Sequence, residues 1–208
     1  MTNQPSGEGA RADRVVLVGM MGAGKTAVGR RLAAHLSGRD SGAGGSWAHL
    51  DTDVMVEAAT GKSVAELFST VGEDAFREEE RRALAAALEA TGPAVVSAGG
   101  GVVVTEANRD LLHRAGAVVW LRARPETLAR RVGAGSGRPL LGADPAGVLE
   151  ELVARRAPLY EDVARYVVDV DGRTVGEVVD LVAAAFTGAG MAAVTGTLTG
   201  HAGVRRTR

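Results

Sequence analysis

The chain has 208 residues, 46% apolar and 24% charged, the balance of a soluble globular domain large enough to bury a substantial core. A formal net charge of −1 and an aromatic content of 3% offer nucleic acid neither a basic surface nor stacking side chains. With no cysteine, disulfides, thiolate catalysis and cysteine-metal sites are excluded; no apolar run reaches membrane-spanning length, so no membrane partner and a cytoplasmic location are expected.

Residues 1–13 are polar, carry no apolar stretch of signal-peptide type and are expected to form a disordered leader. Arg14-Val15-Val16-Leu17-Val18 reads as a buried strand, and Ala27 to Leu36 as a helix with apolar residues three and four apart. Between them, Gly19-Met20-Met21-Gly22-Ala23-Gly24-Lys25-Thr26 fits G-x-x-x-x-G-K-[ST], the phosphate-cradling P-loop. Glycines let backbone wrap closely around a phosphate chain. The unpartnered first amides of the helix bind anionic oxygens. Gly22, Ala23, Gly24, Lys25, Thr26 and Ala27 are therefore the candidate nucleotide-phosphate residues, with Lys25 reaching the outer phosphates and the Thr26 hydroxyl available to Mg²⁺. Lys25 and Lys62 are the only lysines among 24 Lys+Arg, which fits a site that needs a slim point charge rather than a planar fork.

Ser37 to Ser46 reads as a flexible glycine-serine loop, Trp47 to Leu50 as a strand ending at Asp51-Thr52-Asp53, and Val54 to Ala59 as helical. Ser63 to Val71 is a helix with Ser63 and Glu66 in capping-box spacing, and Gly72 to Ala90 a long charged helix. Pro93 to Ser97 is a strand running into Gly99-Gly100-Gly101. A helix over Glu106 to Arg114, a strand over Ala117 to Leu121 and a helix opened by Pro125 follow. Gly133 to Gly142 is loop-like, and Ala146 to Arg165 is a helix interrupted or bent at Pro158. Tyr166 to Val170 is the last strand and Thr174 to Phe186 the last helix, before a flexible tail over 188–208. Strands alternating with helices imply a single α/β domain over 14–187 with a parallel sheet covered on both faces.

Asp51 and Asp53 share a face at a strand's carboxyl end, where α/β sheets bind ligands. One division sends Asp51 toward Mg²⁺ and Asp53 toward a substrate hydroxyl as orienter or general base. An Asx turn capping the next helix would use the same pair equally well. Arg77 and Glu80, three apart on a helix, can pair so that the guanidinium presents its fork to a carboxylate. A solvated helix face is the other reading of these charges. Gly99 to Gly101 allow something to lie against bare backbone, or simply make a tight turn. Arg138 sits in a glycine-rich segment of the kind that closes over transferring phosphates. Arg156 lies just before the expected helix break; each arginine alone reads equally well as a surface residue.

In this order, from about residue 14 to 185, the pieces resemble shikimate kinase. The resemblance rests on GMMGAGKT, Asp51-x-Asp53, Phe76-Arg77 with Glu80, and Val95-Val96-Ser97-Ala98-Gly99-Gly100-Gly101-Val102. Arg138-Pro139-Leu140-Leu141 and Arg156-x-Pro158-Leu159-Tyr160 complete it. It implies a P-loop fold of nucleoside-monophosphate-kinase type, with a five-stranded parallel sheet flanked by helices. A substrate-binding segment over about 52–82 and a mobile lid over about 133–143 belong to the same expectation. It further implies ATP-dependent phosphorylation of the shikimate 3-hydroxyl by a monomeric enzyme of aromatic amino acid biosynthesis. On that resemblance Asp53, Arg77, Gly99, Gly100, Gly101 and Arg156 hold shikimate, and Lys25 and Arg138 stabilise the transferring phosphoryl group. Thr26 and Asp51 serve Mg²⁺, and Arg131 lies against adenine. Val170 to Arg173 matches the family's adenine contacts only loosely and carries no firm assignment. A gluconate-type sugar-acid kinase would keep Lys25 and the lid without needing the arginine clamp. A Ras-type switch is disfavoured, because neither asparagine, Asn3 or Asn108, precedes a lysine in an N-K-x-D element.

Overall fold

The computed structural model describes residues 13–39, 46–133 and 145–187. Five strands make one parallel sheet: β1 Arg14–Val18, β2 Ala48–Asp51, β3 Ala94–Ser97, β4 Ala117–Arg122 and β5 Tyr166–Asp169, in the order β2-β3-β1-β4-β5. Every residue of β1 and β3 is buried. Strands buried along their whole length and rich in valine are what a parallel sheet covered by helices on both faces requires. Eight α-helices are described: α1 Lys25–Arg39, α2 Thr52–Thr60, α3 Val64–Val71, α4 Glu73–Glu89, α5 Glu106–His113, α6 Pro125–Gly133, α7 Pro145–Val163 and α8 Val175–Thr187. Their apolar faces and the sheet form one core, and Val56, Leu67, Phe76 and Ala83 make a smaller one among α2, α3 and α4.

The strand order places the site. The chain leaves β1, crosses to the edge strand β2, returns through β3 beside β1, and then crosses to β4 on the other side. Open α/β sheets bind ligands at such a reversal, at the carboxyl ends of the strands. In register, Leu17 pairs with Ser97 and Leu50 with Val96, so the loops leaving β1, β2 and β3 emerge side by side.

Several boundaries differ from the expectation. α1 begins at Lys25 and runs to Arg39, through Ser37 and Gly38 that read as loop. The Ser37 hydroxyl donates to the Ala33 carbonyl at 2.8 Å and accepts from Trp47 N at 2.8 Å, so the serine tethers the helix end to the start of β2 instead of opening it. Pro158 does not interrupt its helix. α7 is continuous across it, carried by buried Leu149, Tyr160 and Val163, so Arg156 lies within a helix rather than before a break. Val102–Val104 forms a 3₁₀ turn that period-based reading misses. Asp13, expected in the leader, is described, and its carbonyl accepts from Ala94 N at 3.0 Å. Arg14 is a buried charge in β1 whose guanidinium donates to the carbonyls of Ala90, Gly92 and Asp13 around the C-terminal end of α4. The rest of the expected leader, the expected lid except Gly133, and the tail lie outside the described residues.

Helix entry follows side-chain chemistry closely. Ser63 Oγ accepts from Glu66 N while Glu66 Oε2 accepts from Ser63 N at 2.8 Å, and Thr174 and Glu177 repeat the arrangement at α8. These bonds, from the Ser63 hydroxyl and then its backbone, and from the Thr174 backbone and then its hydroxyl, hold both carboxyls below the ordinary 4.5. Groups depressed on folding stabilise fully above their unfolded value, and that stabilisation is lost as pH falls through the lowered one. The double variant Glu66→Ala, Glu177→Ala should therefore melt on the order of a few degrees below the parent at pH 7. Thermal melts repeated at falling pH should show the gap closing as the pH drops below the ordinary 4.5 and through the lowered values.

Candidate active site

The P-loop follows from β1. After Val18 the chain must turn sharply within a packed neighbourhood: Gly22 has φ +81°, and a Cβ there would lie 2.9 Å from Val132 Cγ2. Glycine is required on both counts. The loop then enters α1, whose first residues are Lys25 and Thr26. Lys25 Nζ folds back to donate to the carbonyls of Gly19 at 2.8 Å and Met20 at 3.0 Å. Thr26 Oγ1 donates to Asp51 Oδ2 at 2.7 Å, joining the helix N-terminus to the end of β2.

Asp51 has two tasks. Its Oδ1 accepts from Asp53 N at 3.1 Å as the N-cap of α2, while its Oδ2 faces Thr26. The two readings left open by the sequence are thus compatible, one oxygen for each. Buried Thr52 between them accepts from Gly99 N at 2.9 Å, tying the β2 end to the glycine run. A hydroxyl and a carboxylate oxygen at the mouth of a phosphate loop are hard donors that suit Mg²⁺, which takes few protein ligands beside water and phosphate. Among the described residues no group of three or more His, Cys, Asp or Glu forms a self-contained metal cage.

Beneath the first turn of α1 lies a brace that the sequence did not disclose. Ser97 Oγ donates to the Lys25 carbonyl at 3.0 Å, so His49 Nε2, 2.9 Å away, donates to Ser97. Burial keeps the imidazole below its ordinary pKa, partly offset by Asp51, with Arg30 acting in the same direction as burial.

Gly99, Gly100 and Gly101 lie where four polar side chains converge. A Cβ on Gly99 would stand 2.7 Å from Asp53 Oδ1 and 2.8 Å from Glu80 Oε1, and one on Gly101 would collide with Arg77 Nη1. Arg156 Nη1 donates to the Gly100 carbonyl at 3.0 Å. Arg77 is anchored from α4 itself, to Glu80 at 2.8 Å and Glu73 at 3.0 Å, over the rings of Phe76 and Phe68. Burial works against its charge, but Glu80 and Glu73 outweigh it and hold the guanidinium above its usual range. Glu80 is only 2% exposed. Burial pushes its carboxyl up and nearby Asp53 pushes it further, while Arg77 and Arg156 oppose the rise. A cluster of two arginines and two carboxylates packed around bare backbone has the makings of an anion-binding site with a hydroxyl acceptor beside it.

A family model described as shikimate kinase matches residues 21–187. The chain belongs to the shikimate kinase family. It is 45% identical over 169 residues to the shikimate kinase of Symbiobacterium thermophilum, covering 79% of this chain and 91% of that one. A shikimate kinase from Acinetobacter baumannii, solved in complex with shikimate, superposes with a TM-score of 0.77 at 30% identity, covering 86% of this chain and 95% of that one. A gluconokinase from Sinorhizobium meliloti reaches a TM-score of 0.51 at 18% identity, covering 86% and 94%, a likeness of fold alone.

Within this shikimate kinase fold, the phosphate-loop residues Gly22, Ala23, Gly24, Lys25, Thr26 and Ala27 are contiguous with Asp51, and Asp53, Arg77, Arg156 and the three glycines are brought together. Arg138 lies outside the described residues. Arg131 spans two loops, donating to the carbonyls of Gly22 and Val170 at 3.3 Å each. It borders a largely apolar cleft with Ala23, Gly24 and Val28 on one side and Val170, Arg173 and Val175 on the other. Val170 and Arg173 of the second wall belong to the stretch that the sequence matched to adenine contacts only loosely; it becomes a wall when β5 is placed beside β4.

The brace explains Gly29. Alanine is favoured over glycine inside a helix by about 1 kcal/mol. A Cβ at Gly29, however, would lie 2.5 Å from Ser97 Oγ and 2.6 Å from His49 Nε2. Gly29→Ala should lower the melting temperature rather than raise it, and a scanning-calorimetry trace showing a rise would mean that His49 and Ser97 give way freely.

Proposed function

We propose that the chain transfers the γ-phosphoryl group of ATP to the 3-hydroxyl of shikimate, giving shikimate 3-phosphate and ADP on the route to chorismate and the aromatic amino acids. One observation carries the reading: Asp53, Arg77 and Arg156 converge on the Gly99–Gly101 backbone beside the P-loop. Shikimate has one carboxylate and three hydroxyls; this cluster supplies two guanidinium forks for the carboxylate and a carboxylate acceptor, Asp53, for a hydroxyl. In this reading Arg77 and Arg156 grip the substrate carboxylate, and the glycine run carries the ring.

Lys25 and the amides of Gly22, Ala23, Gly24 and Ala27 hold the triphosphate, with Arg138 adding positive charge from the 133–143 segment. Thr26 Oγ1 and Asp51 Oδ2 would hold Mg²⁺, which when bound offsets phosphate charge. Asp53 orients the 3-hydroxyl and accepts its proton as that oxygen bonds to the γ-phosphorus and the bridge to the β-phosphate breaks. Adenine lies in the cleft beside Arg131, with Arg173 opposite. In this reading the enzyme acts as a monomer in the cytoplasm. Among the described residues no helix is long and apolar enough to cross a membrane.

The direct test is a coupled ADP-release assay with shikimate, quinate and gluconate offered separately; shikimate alone should support rapid turnover, and a preference for gluconate would favour the sugar-acid kinase alternative. Lys25→Ala and Asp53→Ala should each lower kcat by at least about 100-fold while the protein stays folded. Arg77→Ala should raise the KM for shikimate more than about ten-fold and leave the KM for ATP within about two-fold. An unaltered shikimate KM in that variant removes Arg77 from the clamp.

A further inference from the structure

Tyr160 lies on α7, one helical turn beyond Arg156, and is completely buried. Its ring stacks on Trp120 of β4, with centroids 5.6 Å and planes 23° apart, so packing aims the phenol. The hydroxyl donates to the Gly100 carbonyl at 2.6 Å. Met20 Sδ is 3.6 Å from the same oxygen, but a hydroxyl has one hydrogen and the shorter bond takes it. Burial raises the phenol far above its ordinary range, so it remains a donor throughout the neutral range. With Arg156 Nη1 at 3.0 Å, the Gly100 oxygen receives two bonds, both from α7.

The neighbouring peptides are held by other partners. Gly99 N donates to Thr52 Oγ1, the Gly99 carbonyl accepts from Val102 N, and the Gly101 carbonyl accepts from Val104 N. The Gly100–Gly101 peptide also lies between glycines and meets little side-chain resistance to turning over, but its carbonyl is held by side chains instead of main chain. The described residues contain no cis peptide, and in a trans peptide the N–H points opposite to the carbonyl. A Gly100 carbonyl bound to α7 therefore directs Gly101 N–H away from α7.

We propose that Tyr160 is a positioning residue whose hydroxyl locks the Gly100–Gly101 peptide, so that Gly101 N–H stands as a fixed donor to the acid bound between Arg77 and Arg156. The proposal rests on the shikimate kinase reading above. It also explains why two donors share one carbonyl. A guanidinium has five N–H groups and is drawn toward an incoming carboxylate. As Arg156 shifts onto the substrate, Tyr160 keeps the peptide from turning.

The test uses the full chain and Tyr160→Phe, which keeps the stacked ring and loses only the hydroxyl. The variant should melt within a few degrees of the parent. Its kcat/KM for shikimate should fall about ten-fold, chiefly through KM, with the KM for ATP within about two-fold, since a tenfold loss corresponds to about one hydrogen bond. A role confined to core packing would shift the melting temperature and leave both KM values alone. In the unsubstituted protein, adding shikimate should move the Gly101 amide resonance downfield, a readout that does not depend on the variant folding. A parent with no shikimate-dependent turnover overturns the functional reading and this proposal together. An active parent whose Tyr160→Phe variant matches it in kcat and shikimate KM, or whose Gly101 amide ignores shikimate, overturns the proposal alone.

Discussion

β1 and β3 are hydrogen-bonded neighbours, and that pairing forces the two loops leaving them against each other. Ala98 N still donates to the Leu17 carbonyl at 3.0 Å as the strands end. Beyond that bond the P-loop and the glycine run touch as bare backbone, so close that a Cβ on Gly100 would lie 3.2 Å from Met21 N. In the function proposed above the first strip holds phosphate and the second the acid, and a direct phosphoryl transfer needs such an approach, since the reacting groups must come within a few ångströms and exclude water. The surrounding polar chemistry serves to keep these two strips of backbone in register.

The supports come from three sides. From β2, Asp51 reaches the first turn of α1 through Thr26, and Thr52 reaches Gly99. From β2 and β3, His49 and Ser97 brace the Lys25 carbonyl. From α7, Arg156 and Tyr160 hold the Gly100 carbonyl. Each contact uses a hydrogen bond to or beside main chain, which fixes direction as well as distance. The charges are balanced on the same small scale. Arg77 is tied to Glu80 and Glu73 on its own helix, so its fork is set before any ligand arrives, and Arg156 opposes the rise that burial imposes on Glu80. A donor fixed in advance, as Arg77 is, has less side-chain freedom to lose when an acid binds.

How far the molecule was legible in its sequence depended on how local the physics was. The P-loop could be read because its glycines, lysine and threonine act within eight consecutive residues between a strand and a helix. The capping box at Ser63 and Glu66 was legible for the same reason. Asp51 was half legible: its spacing from Asp53 allowed either a cap or a metal-side ligand, and only the position of Thr26, 25 residues away, shows that it makes both contacts. The His49–Ser97 brace and the Tyr160–Gly100 bond join residues 48 and 60 apart, and no local pattern encodes such pairings. Pro158 misled because a proline in a helical pattern normally marks a break, whereas burial of Tyr160 and Leu149 on either side carries α7 through it. The second wall of the cleft beside Arg131 was only loosely legible, because it is a product of strand order.

The central claim is that the two loops at the carboxyl ends of β1 and β3 hold nucleotide and acid face to face. A crystal structure with shikimate and a non-hydrolysable ATP analogue measures this directly. The account predicts the carboxylate on Arg77 and Arg156, the ring over Gly99 to Gly101, and a ring hydroxyl between Asp53 and the terminal phosphate. Shikimate bound with its ring remote from Asp53 and the glycine run would contradict it.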